Sequence, residues 1–520
     1  MTYNYLRFLE YMKTIILISI KVVFVFNLTI TGCIFNDNPL QYDGSDFRDY
    51  EFVEPIVTGN TYYIDPVNGS PDGNGSAEHP WFTLQQVIDS NLIECYRHTE
   101  AYNPNSELEI VNKGAPIRGG DRLLLRTGYH GYVKRNYFIF KDWLTIEAEE
   151  GHTPILSHFR CEGTFENIYL KNLTILKESY QGDEEYWQAE VINRNSSSCI
   201  YFVSSLFWGE GSHIKLNGLT VKTAENTAGW RAADWVEKAA SGISLRSVKH
   251  VEIVNCTIEN VRHGMAIEYH SDHSFAVNNT INNYSADGCR LISNHVLFAY
   301  NTITNCYDVD ENHDDAIQSY SRGVDNSSGT GVLHNVVIRG NLIIGTPDRN
   351  NPLAGNPQGI GCFDGYYDDW IVENNLVITD HYHGISFYGM RNSKIVNNTV
   401  IDEIPDNDTV PWIYITDHKN GTPSENCYAA NNIASSHVSG SGDHVEIFNN
   451  FVIGRNNHLL IYKYFVDPDK FDFHLLDNDS TRKNIINKGN PFKGLLSSRI
   501  DMDKIERKGK PDIGAYELND

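Results

Sequence analysis

The sequence has too little positive charge for a typical nucleic-acid-binding protein. Its 42 Lys and Arg residues stand against 67 Asp and Glu residues, which gives a formal net charge of −25 over 520 residues. Proteins that bind nucleic acid neutralise phosphates with clustered Lys and Arg. We therefore expect no nucleic-acid partner. A local basic pocket for an anionic glycan is still compatible with an acidic protein.

Closely spaced cysteine pairs are also absent. Eight cysteines follow Cys33, and none belongs to a Cys-x-x-Cys pair, so the sequence gives no support for a zinc or redox motif of that kind. Most of them lie in strand-like segments, where a buried thiol is the ordinary state. Disulfides stay open in an oxidising compartment.

The one long apolar run lies at the N-terminus, and it is not typical of a membrane span because Lys21 interrupts it. The letters ITGC that end at Cys33 resemble a lipobox, in which cleavage before this residue leaves its thiol to carry lipid. A plain export signal is the alternative. We predict a lipoprotein signal peptide over residues 1–33 and a polar tether over residues 34–60. The mature protein would be held at the outer membrane or cell surface by lipid alone.

The centre of the chain lacks helical stretches and is periodic. HVEIVNCTIENV, SFAVNNTINNY and VLFAYNTITNC repeat one theme, an alternating strand, then Asn, then a second apolar pair. The recurrent residues Asn255, Asn279 and Asn301 lie 22 to 24 positions apart. Asn suits chain corners because it tolerates left-handed backbone angles, and stacked Asn side chains can form a hydrogen-bonded ladder. The period indicates an all-β fold, a right-handed single-stranded parallel β-helix.

The ends of the chain fit such a solenoid. Residues 83–98 are apolar at helical spacing through Leu84, Val87 and Ile88, which predicts a helix that caps the open strand edges at the N-terminal end. We expect the β-helix domain to span residues 61–520. An insert is expected over residues 179–240.

Each coil carries a further strand whose outward positions form columns. The aligned segments are SGISLR, HGMAIE, DGCRLI, DAIQSY, QGIGCF, HGISFY and PWIYIT. Parallel stacking places equivalent positions about 4.8 Å apart, and alternation turns the first, fourth and sixth positions outward. The first column holds His263, Asp287, Asp315, Gln358, His383 and Pro411, the fourth holds Arg290 and Gln318, and the sixth holds Glu268, Tyr320, Phe363 and Tyr388.

Two carboxylates on neighbouring coils indicate acid–base chemistry. Asp287 and Asp315 repel each other at one strand spacing, so the pKa of one of them is expected to rise toward neutrality. Cleavage of a glycosidic bond uses such a pair, one group to protonate the leaving oxygen and one to activate water or attack carbon. We predict Asp287 and Asp315 as the catalytic pair, assisted by Asp314 and His383. The predicted substrate-binding residues are His263, Glu268, Arg290, Gln318, Tyr320, Arg322 and Tyr388.

At its ends the chain resembles extracellular right-handed β-helix proteins that act on polysaccharides, the pectate lyase and polygalacturonase-like superfamily. Residues 62–84 are similar to the N-terminal segment of that group, and PDIGAYE, residues 511–517, is similar to its closing strand. The resemblance covers most of the mature chain. It implies an architecture and a polysaccharide substrate rather than one reaction.

The outward residues resemble one branch of that superfamily, the polygalacturonase-type hydrolases. Their cleft is lined by an Asp, an Asp pair and a Gly-His-Gly segment, and this chain has DG at 287–288, DD at 314–315 and HYHG at 381–384. The resemblance implies acid–base roles for the three Asp residues and a place in the cleft for His383. Tyr382 stands where that branch has a glycine.

Two other functions stay open. The lyases that this chain resembles remove a proton with Lys or Arg and use calcium to neutralise the substrate carboxylate. The base and clamp would then be Arg290, Arg322, His263 or His383, and the Ca²⁺ ligands would be Asp287, Asp314 and Asp315. A non-catalytic glycan-binding or adhesin module is the third reading. The leading expectation is a lipid-anchored glycoside hydrolase acting on a uronate-containing polysaccharide.

Overall fold

The computed structural model describes residues 47, 50–100, 103–182, 198–204, 211–402, 409–491 and 499–518. The N-terminal strands are β1 (Thr61–Ile64), β2 (Cys95–His98), β3 (Leu108–Val111), β4 (Arg122–Leu125), β5 (Gly128–Tyr129), β6 (Val133–Ala148), β7 (Pro154–Leu156), β8 (Phe159–Lys171), β9 (Thr174–Leu176), β10 (Ser198–Val203), β11 (Gly211–Asn217) and β12 (Thr220–Lys222).

The central strands are β13 (Ser241–Arg246), β14 (Val248–Val254), β15 (Thr257–Val261), β16 (Met265–Glu268), β17 (Ser274–Val277), β18 (Thr280–Tyr284), β19 (Cys289–Ile292), β20 (Val296–Ala299), β21 (Thr302–Cys306), β22 (Asp315–Tyr320), β23 (Val332–His334), β24 (Val336–Arg339), β25 (Leu342–Ile344), β26 (Gln358–Asp364), β27 (Tyr366–Asp368), β28 (Ile371–Glu373), β29 (Leu376–Thr379), β30 (His383–Tyr388), β31 (Met390–Arg391), β32 (Lys394–Val396) and β33 (Thr399–Asp402). The last strands are β34 (Trp412–Thr416), β35 (Glu425–Ala430), β36 (Ile433–Ala434), β37 (Val438–Gly440), β38 (Asp443–Phe448), β39 (Phe451–Val452), β40 (Phe465–Asp467) and β41 (Asp472–Leu475).

The described helices are short. They are α1 (Leu84–Asp89), α2 (Ala232–Lys238), α3 (Ile461–Tyr464) and α4 (Asp479–Asn484), with 3-10 turns at Lys177–Ser179, His458–Leu460 and Pro468–Lys470. The predicted cap helix is present as α1, where the Thr83 hydroxyl accepts a hydrogen bond from the Gln86 N–H at 3.1 Å. It is shorter than the predicted span 83–98, because Asn91 adopts a left-handed φ of 58° and the chain then enters β2.

The strands stack as a parallel solenoid, as the period predicted. The first ladder runs β8–β10–β13–β16–β19–β22–β26–β30–β34–β37, and every pair in it is parallel. A second ladder, from β11 through β14, β17 and β20 to β38, follows it around each coil. A third sheet runs from β5 to β39. Inward Ile, Val and Leu side chains fill the space between the ladders.

A ladder of buried asparagines lines one corner of the solenoid, as predicted. The Nδ2 group of each residue donates to Oδ1 of the next at 2.9–3.1 Å, in the order Asn279, Asn301, Asn341, Asn375, Asn398, Asn432 and Asn450. The prediction that Asn255 and Asn279 occupy equivalent positions is wrong by one residue. Asn255 pairs with Asn278, and Cys256 takes the ladder position before Asn279.

Replacement of Asn375 by Ala should strongly destabilise the fold. Its amide donates to Asn398 and to the Ile338 carbonyl, and its Oδ1 accepts two hydrogen bonds from Asn341. The substitution leaves several buried polar groups without hydrogen-bond partners, so we expect a loss of roughly 3–5 kcal/mol in unfolding free energy. Chemical denaturation measures it, with Asn105→Ala in an exposed turn as the control. Equal small losses in both variants would contradict a structural role for the ladder.

Two predicted segments differ in the structure. Within the expected insert at 179–240, the described strands β10, β11 and β12 complete one coil. They pair in parallel with β8 and β9 on one side and with β13, β14 and β15 on the other. Residues 511–517 are not a strand. They have an irregular conformation and bury Ile513, Ala515 and Tyr516 in a cluster with Ile433, on the outer side of the third sheet.

Part of the segment expected to be a tether lies on the solenoid. Phe47 and Tyr50 both pack on Phe275, at ring-centroid distances of 5.7 and 4.9 Å, and the Tyr50 hydroxyl donates to Glu252 at 2.7 Å. Residues 50–60 continue across the earlier coils. The expected signal peptide and Cys33 lie outside the described residues. In the described part of the chain, no helix has the length and apolar character needed to cross a membrane.

Candidate active site

Strand register brings the predicted residues together on the outer face of the first ladder. Asp315 pairs with Gln358, and Arg290 pairs with Gln318, as the aligned columns predicted. The residue that follows Asp287 must be small. A Cβ added at Gly288 would lie 2.6 Å from the carbonyl oxygen of Ala316 in the next coil. This close stacking holds the starts of successive strands side by side.

Asp287 is fully buried, and both of its carboxylate oxygens are in use. Oδ2 accepts from Arg290 Nε at 2.6 Å and lies 3.5 Å from His263 Nδ1, and Oδ1 accepts from the Asp315 N–H at 3.2 Å. Burial alone would raise the pKa of Asp287, but His263 and Arg290 outweigh it and lower the pKa below its usual value. Asp287 is therefore ionised and shielded from solvent.

Asp315 has the opposite protonation preference. Burial first, and then the negative charge of Asp287, raise the pKa of Asp315 well above its usual value, although the Gln318 amide donates to Oδ2 at 2.8 Å. Oδ1 is buried and has no hydrogen-bond partner among the described residues. The carboxyl group is thus a protonated acid with one unpaired oxygen. One member of the pair thus has a raised pKa, as the sequence predicted, but burial rather than repulsion by Asp287 is the larger cause.

Gly361 makes the position of that oxygen possible. A Cβ at Gly361 would lie 2.3 Å from Asp315 Oδ1 and 3.0 Å from Gln358 Oε1, so both atoms lie over the glycine. Gln358 Oε1 also has no described partner. The sequence analysis did not single out Gly361. The sequence does carry a sign of its role, because Gly361 stands in the fourth outward column, where the two preceding coils have the long side chains of Arg290 and Gln318.

Asp314 lies next to Asp315 in sequence but belongs to different surroundings. Its Oδ1 accepts from Asn312 Nδ2 at 3.1 Å, and its charge interacts with the buried Cys306 thiol and the Tyr284 phenol. Burial is the main cause that raises the pKa of Asp314 to about 7. This group therefore titrates near neutral pH, and the charge of Asp287 contributes to its raised pKa.

Replacement of Asp314 by Asn should stabilise the protein at pH 8 and have little effect at pH 4. The raised pKa means that the folded state binds the proton more tightly, so the wild type loses stability as pH rises from about 4 to about 7. The amide imitates the protonated acid and removes this loss, which we place at roughly 1–3 kcal/mol because the side chain is half-buried. Denaturation at both pH values measures it, with exposed Asp72→Asn as the control. A stabilisation of equal size at pH 4 would contradict this origin.

His383 lies further along the same face with a neutral ring. Burial lowers its pKa to about 3. Its Nδ1 lies 2.8 Å from Ser386 Oγ, which also accepts from Trp412 Nε1 at 3.1 Å. Ser386 and Trp412 therefore fix the orientation of the imidazole. His383 lies in the same outward column as Asp315, two strands further along the ladder.

Two bulges change the register that the alignment assumed beyond Asp315. Tyr320 pairs with Asp364 rather than Phe363, and His383 pairs with Trp412 rather than Pro411. Trp412 thereby reaches the outer face. Aromatic rings surround His383 as a result, with centroid distances of 4.8 Å to Phe363 and 5.4 Å to Trp412. The predicted Tyr388 joins this wall, 5.1 Å from the Phe363 ring.

A basic and aromatic cluster lies at the other end of the strands. Arg246 donates to Glu268 at 3.0 Å, and the Tyr269 and Tyr320 hydroxyls are 2.8 Å apart. The guanidinium carbons of Arg246 and Arg322 lie 4.7 and 5.1 Å from the Tyr269 ring centroid. The sequence analysis did not single out Tyr269, because it lies just beyond the aligned strand, with a positive φ of 43°.

The three carboxylates do not fit a calcium site. Asp287 uses both oxygens for protein groups, and Asp314 contacts Asn312 rather than the first column. Among the described residues, no group of three or more His, Cys, Asp or Glu side chains is placed so that it could hold a metal ion.

Three clefts formed by described residues lie elsewhere on the solenoid, and no residue of the first column lines them. One is bordered by His213, His250 and His273, a second by Trp230 and Asn260, and a third by Arg97 and Lys134.

The family comparison fits this geometry. Residues 241–452 match the family model described as a right-handed beta helix region. This part of the chain is a right-handed β-helix. The match covers β13 to β39 and therefore contains every catalytic and substrate-binding residue predicted above. No curated protein sequence matches the chain.

Solved structures resemble this β-helix distantly. Pectate lyase Pel9A shares 13% identity, with a TM-score of 0.40 over 89% of this chain and 98% of that one. XylC in complex with xylose shares 9%, with a TM-score of 0.41 over 88% and 98%. The GH136 lacto-N-biosidase from Eubacterium ramulus shares 11%, with a TM-score of 0.40 over 76% and 68%. Likenesses at this level assign no activity to the chain.

Proposed function

We propose that this protein degrades a polysaccharide by acid-catalysed cleavage of a glycosidic bond, with Asp315 as the proton donor. The observation that carries the proposal is the pair of opposed carboxyl groups. Asp287 is ionised and fully paired, and its charge helps to keep Asp315 protonated with one unpaired oxygen over Gly361. A general acid must hold its proton at working pH, and this arrangement supplies that condition.

The proposed reaction uses groups on both sides of Gly361. Asp315 gives its proton to the glycosidic oxygen as the bond from that oxygen to the anomeric carbon breaks. A water molecule adds to the carbon, and its proton passes to the neutral ring of His383. Two strand spacings, about 10 Å, separate these residues along the column and leave room for the water. In this scheme Asp287 is a positioning residue rather than a catalytic one, because Arg290 and the Asp315 N–H already occupy its two oxygens.

Substrate contacts are proposed for the surrounding side chains. The aromatic wall of Phe363, Tyr388 and Trp412 can pack on sugar rings. At the far ends of the strands, exposed Arg246 and Arg322 flank Tyr269 and offer cations for a uronate carboxylate. A uronate-containing glycan is therefore the proposed substrate class.

Digestion of a panel of neutral and uronate-containing polysaccharides tests the proposal. We expect new reducing ends from a uronate-containing member, without the ultraviolet absorbance of an unsaturated uronate. A second reaction, β-elimination, is favoured by one observation, the neutral His383 ring, which could remove a proton from carbon. Products that carry the unsaturated absorbance would establish elimination and overturn the hydrolytic scheme. Absence of any product across the panel would overturn both and favour a glycan-binding module.

We also propose that Cys33 carries lipid and holds the enzyme at the outer membrane or cell surface. The ITGC sequence supports this proposal. Metabolic labelling with a radioactive fatty acid should mark the wild-type protein, and Cys33→Ala should lose both the label and membrane association. The buried Cys95→Ala variant is a matched control. Label that persists in Cys33→Ala would contradict the anchor.

A further inference from the structure

We infer that a cleft beside helix α2, separate from the first-column residues, binds uncharged sugar units. This Trp230 cleft lies between α2 and the loop at residues 346–354, against the ends of β15, β18 and β21. Its volume of about 590 Å³ falls within the range of small-ligand sites. The inference does not depend on the proposed cleavage reaction.

The cleft has an aromatic side suited to the apolar face of a sugar ring. Trp230 is half-buried, and its ring meets Trp235 edge to face at 5.1 Å. Trp235 is buried and packs in turn against Tyr307 at 5.1 Å. The deeper rings hold Trp230 in place and leave part of its surface open. An aromatic side chain with a fixed orientation packs on a ligand at a small cost in conformational entropy.

The floor of the cleft is a fixed chain of amide and hydroxyl groups. Asn260 Oδ1 accepts from the Thr227 hydroxyl at 3.1 Å and from Asn283 Nδ2 at 3.0 Å, and Asn283 Oδ1 accepts from the Tyr307 hydroxyl at 2.9 Å. An amide oxygen has two acceptor sites, so Asn283 Oδ1 can accept a further hydrogen bond. Asn226 and Asn351 add amides at the rim. Sugar hydroxyls both donate and accept, which matches this lining.

The charge of the cleft selects against acidic sugars. Its lining includes the carboxylates of Glu225, Glu259 and Asp348, and none of the described lining residues is Lys or Arg. Lys222, which does not line the cleft, neutralises part of this charge, with Nζ 2.6 Å from Glu225 and 3.5 Å from Glu259. A uronate would bring a further negative charge into this surface without a cation to receive it. The cleft therefore suits neutral, hydroxyl-rich units.

Calorimetric titration of the full mature protein with neutral and acidic oligosaccharides tests the inference. The probes are tetrasaccharides of glucose, xylose, mannose and galactose, with tetragalacturonate as the acidic member. We expect binding of at least one neutral probe, and a loss of affinity of about tenfold in Trp230→Ala. Trp143→Ala, a half-buried tryptophan at a different cleft, is the matched control. Asn283→Ala is a second variant that keeps the test valid if Trp230→Ala does not fold.

The outcomes separate this cleft from the catalytic face. Asp315→Asn should bind the neutral probe as the wild type does, even where cleavage is lost. Binding of tetragalacturonate alone, binding of no neutral probe, or unchanged neutral binding in both Trp230→Ala and Asn283→Ala would each overturn the inference.

Discussion

Asp315→Asn is expected to lower kcat on the responsive polysaccharide by about 10²- to 10⁴-fold, the usual contribution of a general acid. The amide has nearly the same shape as the protonated carboxyl group and can still accept from Gln318, but it has no proton to give. KM should change little, because the carboxyl group is small compared with the aromatic and basic surface around it. Initial rates of reducing-end release over a substrate series measure both constants.

The same variant distinguishes an enzyme from a binding module. Asp315→Asn should fold as the wild type does, since the protein already holds this carboxyl group in its neutral form. Retained affinity for the polysaccharide with lost turnover supports acid catalysis. Exposed Asp72→Asn, far from the sheet face, should keep full activity. Turnover within a factor of two of the wild type in Asp315→Asn would remove Asp315 from the mechanism.

The period of the chain was enough to predict the solenoid and the central part of the site. Strand alternation fixes which residues face out, and parallel stacking fixes which of them are neighbours. The pairs Arg290–Gln318 and Asp315–Gln358 follow from these two rules alone, and so does the repulsion between Asp287 and Asp315 that contributes to the raised pKa of Asp315. The asparagine ladder follows from the same stacking.

The remainder of the site depends on features that have no period. Bulges after Ser319 and His383 shift the register by one residue and bring Trp412 rather than Pro411 to the outer face. The loop before β22 turns Asp314 toward Asn312 and Cys306. Alternation placed Asp287 on the outer face correctly but could not show that neighbouring side chains bury it completely. Such details depend on local packing, which a single sequence does not display.

Asp287→Asn should cause the largest combined loss of stability and function. The ionised carboxylate compensates the Arg290 guanidinium at 2.6 Å, and removal of one partner of a buried pair costs about 3–5 kcal/mol. The charge of Asp287 also raises the pKa of Asp315, so its loss should lower that pKa. Asp315 would then release its proton at lower pH, and the alkaline limit of activity should move down by about one pH unit or more. Denaturation and the pH profile of kcat/KM measure the two effects.

The double variant Asp287→Asn, Arg290→Gln separates the two effects. In Asp287→Asn the guanidinium keeps only the contact with Glu268 at 3.9 Å, so its removal should recover part of the lost stability and the two substitutions should be less than additive. It also removes a cation that lowers the pKa of Asp315, so the alkaline limit should move part of the way back. Arg97→Gln, at an exposed guanidinium in β2 away from this face, is the control and should leave the pH profile in place. A double variant no more stable than Asp287→Asn alone would show that the buried ion pair is not what Asp287 contributes.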